Sequence, residues 1–341
     1  MTTVGLCYDL KSDYMAAGFT AEQVMEMDDE EVVAGLEQGL RSLGYRVKRI
    51  GRGLELARRL AAGERWDMVF NFTEGVSGRG REAQVPALCE LYGQAYTFSD
   101  PVTCGVTLDK AWAKRLVRDA GVATAPFAVV HTPEEAESVS LEPPLFVKPL
   151  AEGSSMGVSR HSLVRSCEEL PSRCRELLAS HPGGLLVEGY LPGREFTVGL
   201  VGSGAAAKVV AVMEVLYTRR AESQSYTAAN KAEYLTNVRY RLLRKGPLAK
   251  QARAVALACY SVLECRDAGR VDLRCDREGR PHFLEINPLP GLHPVRSDLP
   301  IMAGLAGIPY SWLLNEIMGS ALARAGSRPP AARRPRSEAS A

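Results

Sequence analysis

The chain has 341 residues, of which 46% are hydrophobic, 24% charged and 7% aromatic, with 42 basic against 40 acidic side chains. A formal net charge of +2 offers no electrostatic case for binding nucleic acid or an anionic membrane surface, and the length fits two or three domains better than one core. No apolar run is long enough to span a membrane, and the N-terminus enters a strand-like segment directly, so a cytoplasmic protein is expected. The eight cysteines contain no Cys-x-x-Cys pair and sit mostly in apolar or helical patterns, as free thiols do; neither a disulfide framework nor zinc is indicated.

Taken in chain order, the first hundred residues alternate strands (Val4 to Tyr8, Tyr45 to Ile50, Asp67 to Phe72) with helices. The first helix begins at the acidic run Asp28-Asp29-Glu30-Glu31 and stops at Gly44; two more fit Leu54 to Ala62 and Arg81 to Tyr92. Such alternation predicts a small parallel sheet, and the long segment Lys11 to Met27 lies where open sheets carry ligand-binding loops. A helix is expected from Leu108 to Ala120, a strand over Phe127 to Val130, and a helix capped by Thr132 with Pro133 at its first position. The strand Leu145 to Lys148 leads into the loop Glu152-Gly153-Ser154-Ser155-Met156-Gly157. Beyond Gly184 the pattern turns strand-rich (Leu185 to Glu188, Glu195 to Val201, Lys208 to Tyr217). A polar stretch, Thr218 to Thr236, then precedes a helix from Leu248 to Leu263. Two helices near Pro300 to Leu305 and Tyr310 to Leu322 close the ordered part, and the Pro/Arg/Ser/Ala-rich residues 325–341 read as a disordered tail.

The densest chemistry lies in Gly269-Arg270-Val271-Asp272 and Phe283-Leu284-Glu285-Ile286-Asn287-Pro288, two strands joined through the turn Asp276-Arg277-Glu278-Gly279. Glu285 and Asn287 share one face of their strand, and Asp272 is read as closing its own. If Asp272 projects from the same face, two carboxylates and an amide oxygen meet, a hard-oxygen set that suits magnesium with substrate phosphates better than an unpaired polar rim does. Lys148, ahead of the Ser154-Ser155 loop, adds the point charge and backbone donors that polyphosphate needs, although the loop is not a Walker A motif.

In order along the chain, these segments resemble the ATP-grasp superfamily and, more narrowly, the D-alanine–D-alanine ligase family. The resemblance is carried by Leu108-Asp109-Lys110; Phe146-Val147-Lys148-Pro149; the loop Glu152 to Ser159; Leu186 to Val198 with Glu188-Gly189-Tyr190-Leu191 and Glu195; Gly269 to Asp272; and Leu284 to Gly291. It implies an α/β chain, α+β in the ATP-binding half, with an N-terminal parallel α/β substrate domain (residues 1–105), a central ATP-grasp subdomain (106–183) and a C-terminal one (184–324). It also implies an ATP-dependent carboxylate–amine ligase that forms an amide through an acyl phosphate. By the same resemblance Lys110 and Lys148 contact ATP phosphates and Ser154 and Ser155 close over them. Glu188 and the following backbone through Gly189, Tyr190 and Leu191 form the adenine edge, Glu195 holds the ribose, and Leu284 is a further nucleotide-binding residue. Asp272, Glu285 and Asn287 bind two magnesium ions, for which manganese can substitute. Arg270 steadies the acyl phosphate, and Lys231, in the lid-like stretch Thr218 to Thr236, reaches the γ-phosphate.

Small amino-acid-like substrates are expected, with no nucleic acid or membrane partner and a homodimer as the candidate assembly. The chain departs from the family at its substrate motifs. The Glu-x-x-Val-Ser segment expected after the first strand is absent, and Asn71-Phe72-Thr73-Glu74-Gly75 replaces a His-Gly motif. Glu74 has two readings, a substrate-amine contact or a helix cap. Arg296, near the place of a carboxylate-binding serine, either binds a substrate anion or pairs with Asp298 or another acid. These departures keep a different amino acid or a specialised metabolite open as the substrate, with a nucleotide-binding protein that no longer ligates and a kinase as rival readings.

Overall fold

The computed structural model describes residues 1–21, 23–153, 155–218 and 234–326, and three sheets organise them. β1 (Thr3–Tyr8), β2 (Arg46–Gly51) and β3 (Met68–Phe72) pair in parallel in the order β2-β1-β3, with α1 (Lys11–Ala16), α2 (Glu30–Ser42) and α3 (Gly53–Ala61) in the connections. The expected alternation holds with ends shifted by a residue or two. α2 carries Glu30 and Glu31 in its first turn and buries Val32, Val33, Leu36 and Leu40 along one stripe. Gly44 follows it with φ +92°, a left-handed conformation that glycine adopts without a Cβ clash. Part of the segment Lys11 to Met27 is helical, as α1.

A 3₁₀ turn (Arg81–Ala83) leads into α4 (Gln84–Leu91). The helix expected from Leu108 to Ala120 is α6 (Lys110–Asp119), and a further helix that the sequence reading did not place, α5 (Pro101–Leu108), precedes it. The Asp100 carboxylate accepts the Thr103 N–H at 2.9 Å and Pro101 opens α5; Asp109 then accepts the N–H groups of Ala111 and Trp112 and starts α6. The boundary expected at residue 105 therefore falls inside a helix.

β4 (Phe127–Val130), α7 (Pro133–Glu137), β5 (Leu145–Pro149), β6 (Leu163–Val164), α8 (Leu170–Ser180) and β7 (Leu185–Gly189) build the central unit, an antiparallel sheet of order β4-β7-β5-β6. The expected 183/184 boundary falls just ahead of β7 in this order. β7 pairs with β4 on one side and β5 on the other, so it is an inner strand of the central sheet, and the chain leaves that sheet only after Gly189.

The C-terminal unit contains β8 (Glu195–Val201), β9 (Lys208–Tyr217), α9 (Tyr234–Asn237), β10 (Val238–Leu242), α10 (Pro247–Val262), β11 (Ala268–Cys275), β12 (Pro281–Asn287), α11 (Asp298–Leu305) and α12 (Tyr310–Arg324), with sheet order β10-β9-β8-β11-β12. One core joins the first and last units: Val4, Leu6 and Phe70 of the parallel sheet belong to the same buried cluster as Met213, Leu299, Ile317 and Met318. α12 packs against α2 so closely that a Cβ on Gly39 would collide with Leu314. Free cysteines are found throughout, with Cys167 exposed and the other seven buried. Among the described residues no helix is long and apolar enough to cross a membrane.

Asp267 pins this arrangement. Its fully buried carboxylate accepts the Phe98 N–H at 2.8 Å, the Ser203 and Ser320 hydroxyls at 3.1 and 2.8 Å, and an Arg324 N–H at 2.7 Å, from a backbone with φ +65°. Asp267→Ala should therefore cost about 3–5 kcal/mol in chemical denaturation, since it strands the partners of a buried charge. Asp267→Asn should cost less, because Asn keeps an acceptor and tolerates the left-handed backbone.

Candidate active site

The site grows from the β11–β12 hairpin. The register sets Arg270 opposite Asn287 and Asp272 opposite Glu285, so all four side chains share one face. Asp272 does not close its strand, as the sequence reading had it; β11 runs on to Cys275. A bulge follows: Leu273 pairs with Phe283, which leaves Leu284 as an extra residue on β12. Strict alternation would turn Leu284 away from Glu285, whereas the bulge lets both line the same cleft while Phe283 and Ile286 stay in the core.

That cleft is open to solvent and offers about 880 Å³ of empty space between the central and C-terminal sheets. It gathers Lys110, Lys148, Ser155, Glu188, Gly189, Tyr190, Leu191, Glu195, Arg270, Asp272, Leu284 and Glu285, all expected at one site from the sequence. Ser154 and Lys231, with residues 219–233 generally, lie outside the described residues.

Lysines concentrate at one end. Lys110 and Lys114 stand one helical turn apart on α6, and Lys148 comes from β5. The Glu188 carboxylate, on β7, sits between Lys114 Nζ at 2.8 Å and Lys148 Nζ at 2.9 Å. Glu285 Oε2 lies 3.7 Å from Lys110 Nζ and 3.8 Å from Lys148 Nζ. Lys114 is fully buried and also donates to Thr124 Oγ1 and the Phe283 carbonyl. Burial holds its ammonium below the ordinary range. Burial also opposes charge on Lys148 and Glu188, yet the Glu188 and Glu285 carboxylates raise Lys148, and the two lysines lower Glu188. Lys114 went unnoticed in the sequence, although its i,i+4 spacing from Lys110 on an amphipathic helix was the signal.

Elsewhere in the cleft Tyr190 lies over Phe146, with ring centroids 6.4 Å apart and planes at 24°. Glu195 Oε2 accepts from Arg274 Nη1 and from the Tyr217 hydroxyl, each at 2.8 Å. Arg274, also missed, lines the cleft two residues beyond Asp272. Burial raises the Asp272 carboxyl and the nearby Glu285 adds to it, while Arg270 acts against both. Arg270 Nε and Nη2 reach Asp272 at 3.2 and 3.1 Å, Thr197 donates its hydroxyl to the same carboxylate, and Nη1 reaches Asp298 at 2.9 Å.

Arg270 also lines a second, solvent-open chamber with about 830 Å³ of empty space, together with Asn287, Glu74 and Arg296. The two loops at the carboxyl ends of β1 and β3 meet here, because Asp9 Oδ2 accepts the N–H groups of Glu74 and Gly75 at 3.1 and 2.9 Å. Glu74 caps no helix; the next helical turn begins at Arg81, so the capping alternative is excluded. Its neighbours are acidic. Burial, with Glu82, Glu26 and Asp28 close by, raises the Glu74 carboxyl well above its usual value, and burial pushes Asp28 and Glu82 up to about 7. Arg296 is half-exposed and pairs with Glu31 at 3.4 Å and Asp29 at 3.7 Å, while Asp298 is taken by Arg270. His293 Nδ1 accepts the N–H groups of Val295 and Arg296, which shapes the turn.

Carboxyls that gain protons on folding stabilise the native state at low pH. With Asp28 and Glu82 near 7 folded and about 4 unfolded, this contribution is complete below about pH 4 and is lost as pH rises through about 7. The melting temperature should fall between pH 5.5 and 8, and the Asp28→Asn/Glu82→Gln variant should show a smaller fall.

Comparison with known proteins agrees with this geometry. The sequence profile of the family "D-ala D-ala ligase C-terminus" matches residues 116–319. A D-alanine–D-alanine ligase of Cupriavidus necator is 30% identical over 84% of this chain and 85% of its own, and one from Gluconobacter oxydans is 32% identical over 92% and 100%. An uncharacterized protein of Sinorhizobium fredii is 35% identical over 74% of this chain and 73% of its own. Among solved structures, the D-alanine–D-alanine ligase of Bacillus anthracis superposes with a TM-score of 0.73 at 23% identity, covering 96% of this chain and 99% of that one. The fold is ATP-grasp, and the chain belongs to the D-alanine–D-alanine ligase family, ATP-dependent, ADP-forming enzymes that make C–N bonds.

Proposed function

We propose that this chain joins two amino acids of the D-alanine type, activating the carboxylate of one as an acyl phosphate and passing it to the amine of the other. The observation that carries the reading is Arg270, which lines both the cleft and the second chamber and stands beside the opposed carboxylates Asp272 and Glu285. A phosphoryl donor in the cleft and an amino acid in the chamber would meet at its guanidinium.

In this scheme Lys110 and Lys148 hold ATP phosphates, as Ser155 does, with Ser154 and Lys231 retained as proposals outside the described residues. Glu188 keeps the lysines in place, because its carboxylate is already shared between Lys114 and Lys148. Gly189, Tyr190, Leu191 and Leu284 would surround the base and Glu195 the ribose. The family's reaction uses ATP with magnesium, and the donors here fit it. Asp272 and Glu285 are hard oxygen ligands whose mutual repulsion a cation would relieve, and Asn287 keeps a lone pair beyond the one that accepts the Leu289 N–H. Magnesium, proposed as two ions, would supply charge neutralisation for the phosphates.

The chain's own part is positioning and electrostatics. The donor carboxylate attacks the γ-phosphorus, ADP leaves, and Arg270 faces the negative charge that develops on the acyl phosphate and then on the tetrahedral adduct. The acceptor nitrogen attacks the acyl carbon, loses a proton, and expels phosphate. Glu74 is proposed to hold a substrate ammonium among the chamber's acids. Arg296, being half-exposed and already paired with surface carboxylates, is proposed as a substrate-carboxylate contact at the chamber rim.

Glu285→Ala should lower ligase turnover by at least ~100-fold while leaving the melting curve cooperative, as expected for loss of electrostatic stabilisation at the reacting phosphates. Unimpaired turnover contradicts the metal assignment. Across D- and L-amino acids, phosphate release from ATP should be largest with D-alanine. Glu74→Gln should raise the KM for the amino acid by ~10-fold or more, the loss of one buried charge-assisted contact, without a matching change in the KM for ATP.

A further inference from the structure

Glu195 begins β8 and Arg274 lies directly opposite it on β11. Both side chains line the cleft, and both are close to nine-tenths buried, with 11% and 9% exposure. The guanidinium is a fork with two tines in use: Nη1 donates to Glu195 Oε2 at 2.8 Å, and Nη2 donates to the Tyr190 hydroxyl at 3.0 Å. The same guanidinium sits 5.0 Å from the centroid of the Tyr190 ring, whose plane lies over Phe146. The Tyr217 hydroxyl, 2.8 Å away, donates to the same Glu195 oxygen. Among the described residues, no hydrogen bond or ion pair is made to Glu195 Oε1.

We propose that Arg274 is a positioning residue for nucleotide selection: it fixes the Glu195 carboxylate through Oε2, presents Oε1 to the nucleotide's ribose hydroxyls, and ties that carboxylate to the aromatic wall at Tyr190. The inference rests on the reading of this cleft as the ATP site. Arginine suits the role because its planar fork can meet a carboxylate and a phenol together, whereas an ammonium is a single point charge on a flexible stem. Burial raises the Glu195 carboxyl, with Asp272 adding to it, and Arg274 is the largest influence against it. Removing Arg274 therefore does two things to the nucleotide contact. The carboxylate loses its fixed orientation, and the phenol loses the donor that joins it to the carboxylate.

The test compares kcat/KM for ATP with that for 2′-deoxy-ATP and 3′-deoxy-ATP in the full-length enzyme, its Arg274→Met and Arg274→Lys variants, with a thermal melt of each. The wild type should prefer ATP to at least one deoxynucleotide, and R274M should shrink that preference by about fivefold or more, as loss of an oriented hydrogen bond to a charged acceptor implies. R274K, which can keep the ion pair but not both contacts, should fall between. If R274M does not melt cooperatively, the preference of R274K decides. A merely structural arginine would lower kcat/KM for all three nucleotides together and leave the ratios unchanged; unchanged ratios overturn the proposal, as does a wild type indifferent to both ribose hydroxyls. A wild type that turns over no ATP would instead overturn the functional reading on which the inference stands.

Discussion

The Glu188 carboxylate, held between the ammonium groups of Lys114 and Lys148, is the interaction on which the rest of the site depends. Three charges buried this deeply would be ruinous singly, because desolvation of each costs several kcal/mol. Together they lock α6, β5 and β7 to one another, and Lys114 extends the lock to the hairpin through the Phe283 carbonyl. The cluster is also unbalanced in a useful direction. Among the described residues, Lys110, Lys114 and Lys148 face Glu188 and Glu285, which leaves one positive charge in excess where phosphates belong. Arg270 with Asp272, and Arg274 with Glu195, are closer to balanced, so the positive excess is local.

This distribution explains why the molecule needs three sheets. The central sheet supplies Lys148 and Glu188, the C-terminal sheet supplies Glu195, Arg270, Asp272 and Glu285, and the parallel sheet brings the loops of Asp9 and Glu74 to the second chamber. Asp267 and the shared core around α12 hold the first and last of these together. Arg270 is the one side chain among those described that lines both the cleft and the chamber. An enzyme that must bring a phosphorylated donor and an amine together, out of reach of water, has use for such a junction.

Much of this was legible in the sequence, and what was not has physical causes. Glu285 and Asn287 at alternating positions identified the metal-like face, because side-chain alternation is a local property of a strand. Leu284 could be placed beside Glu285 only by resemblance, since a bulge is set by strand pairing and leaves no mark in the spacing. Gly183-Gly184 read as a unit boundary, yet β7 belongs between β4 and β5, and pairing order is a tertiary fact. α5 and β10 were missed despite local signals, the Asp100-Pro101 cap and the alternation Val238-Arg239-Tyr240-Arg241-Leu242. Lys114 and Arg274 were not singled out because burial of a charged residue becomes visible only when its partner, distant in sequence, is in view.

The central claim, that carboxylate activation by phosphoryl transfer occurs at the Arg270 junction, is tested most directly by following an oxygen atom. D-alanine carrying heavy oxygen in its carboxylate is incubated with the enzyme, ATP and magnesium, and the released phosphate is analysed by mass spectrometry. An acyl phosphate expelled by an amine leaves one carboxylate oxygen on the phosphate, so each dipeptide formed should yield one singly labelled phosphate. Dipeptide formation with unlabelled phosphate would contradict the account.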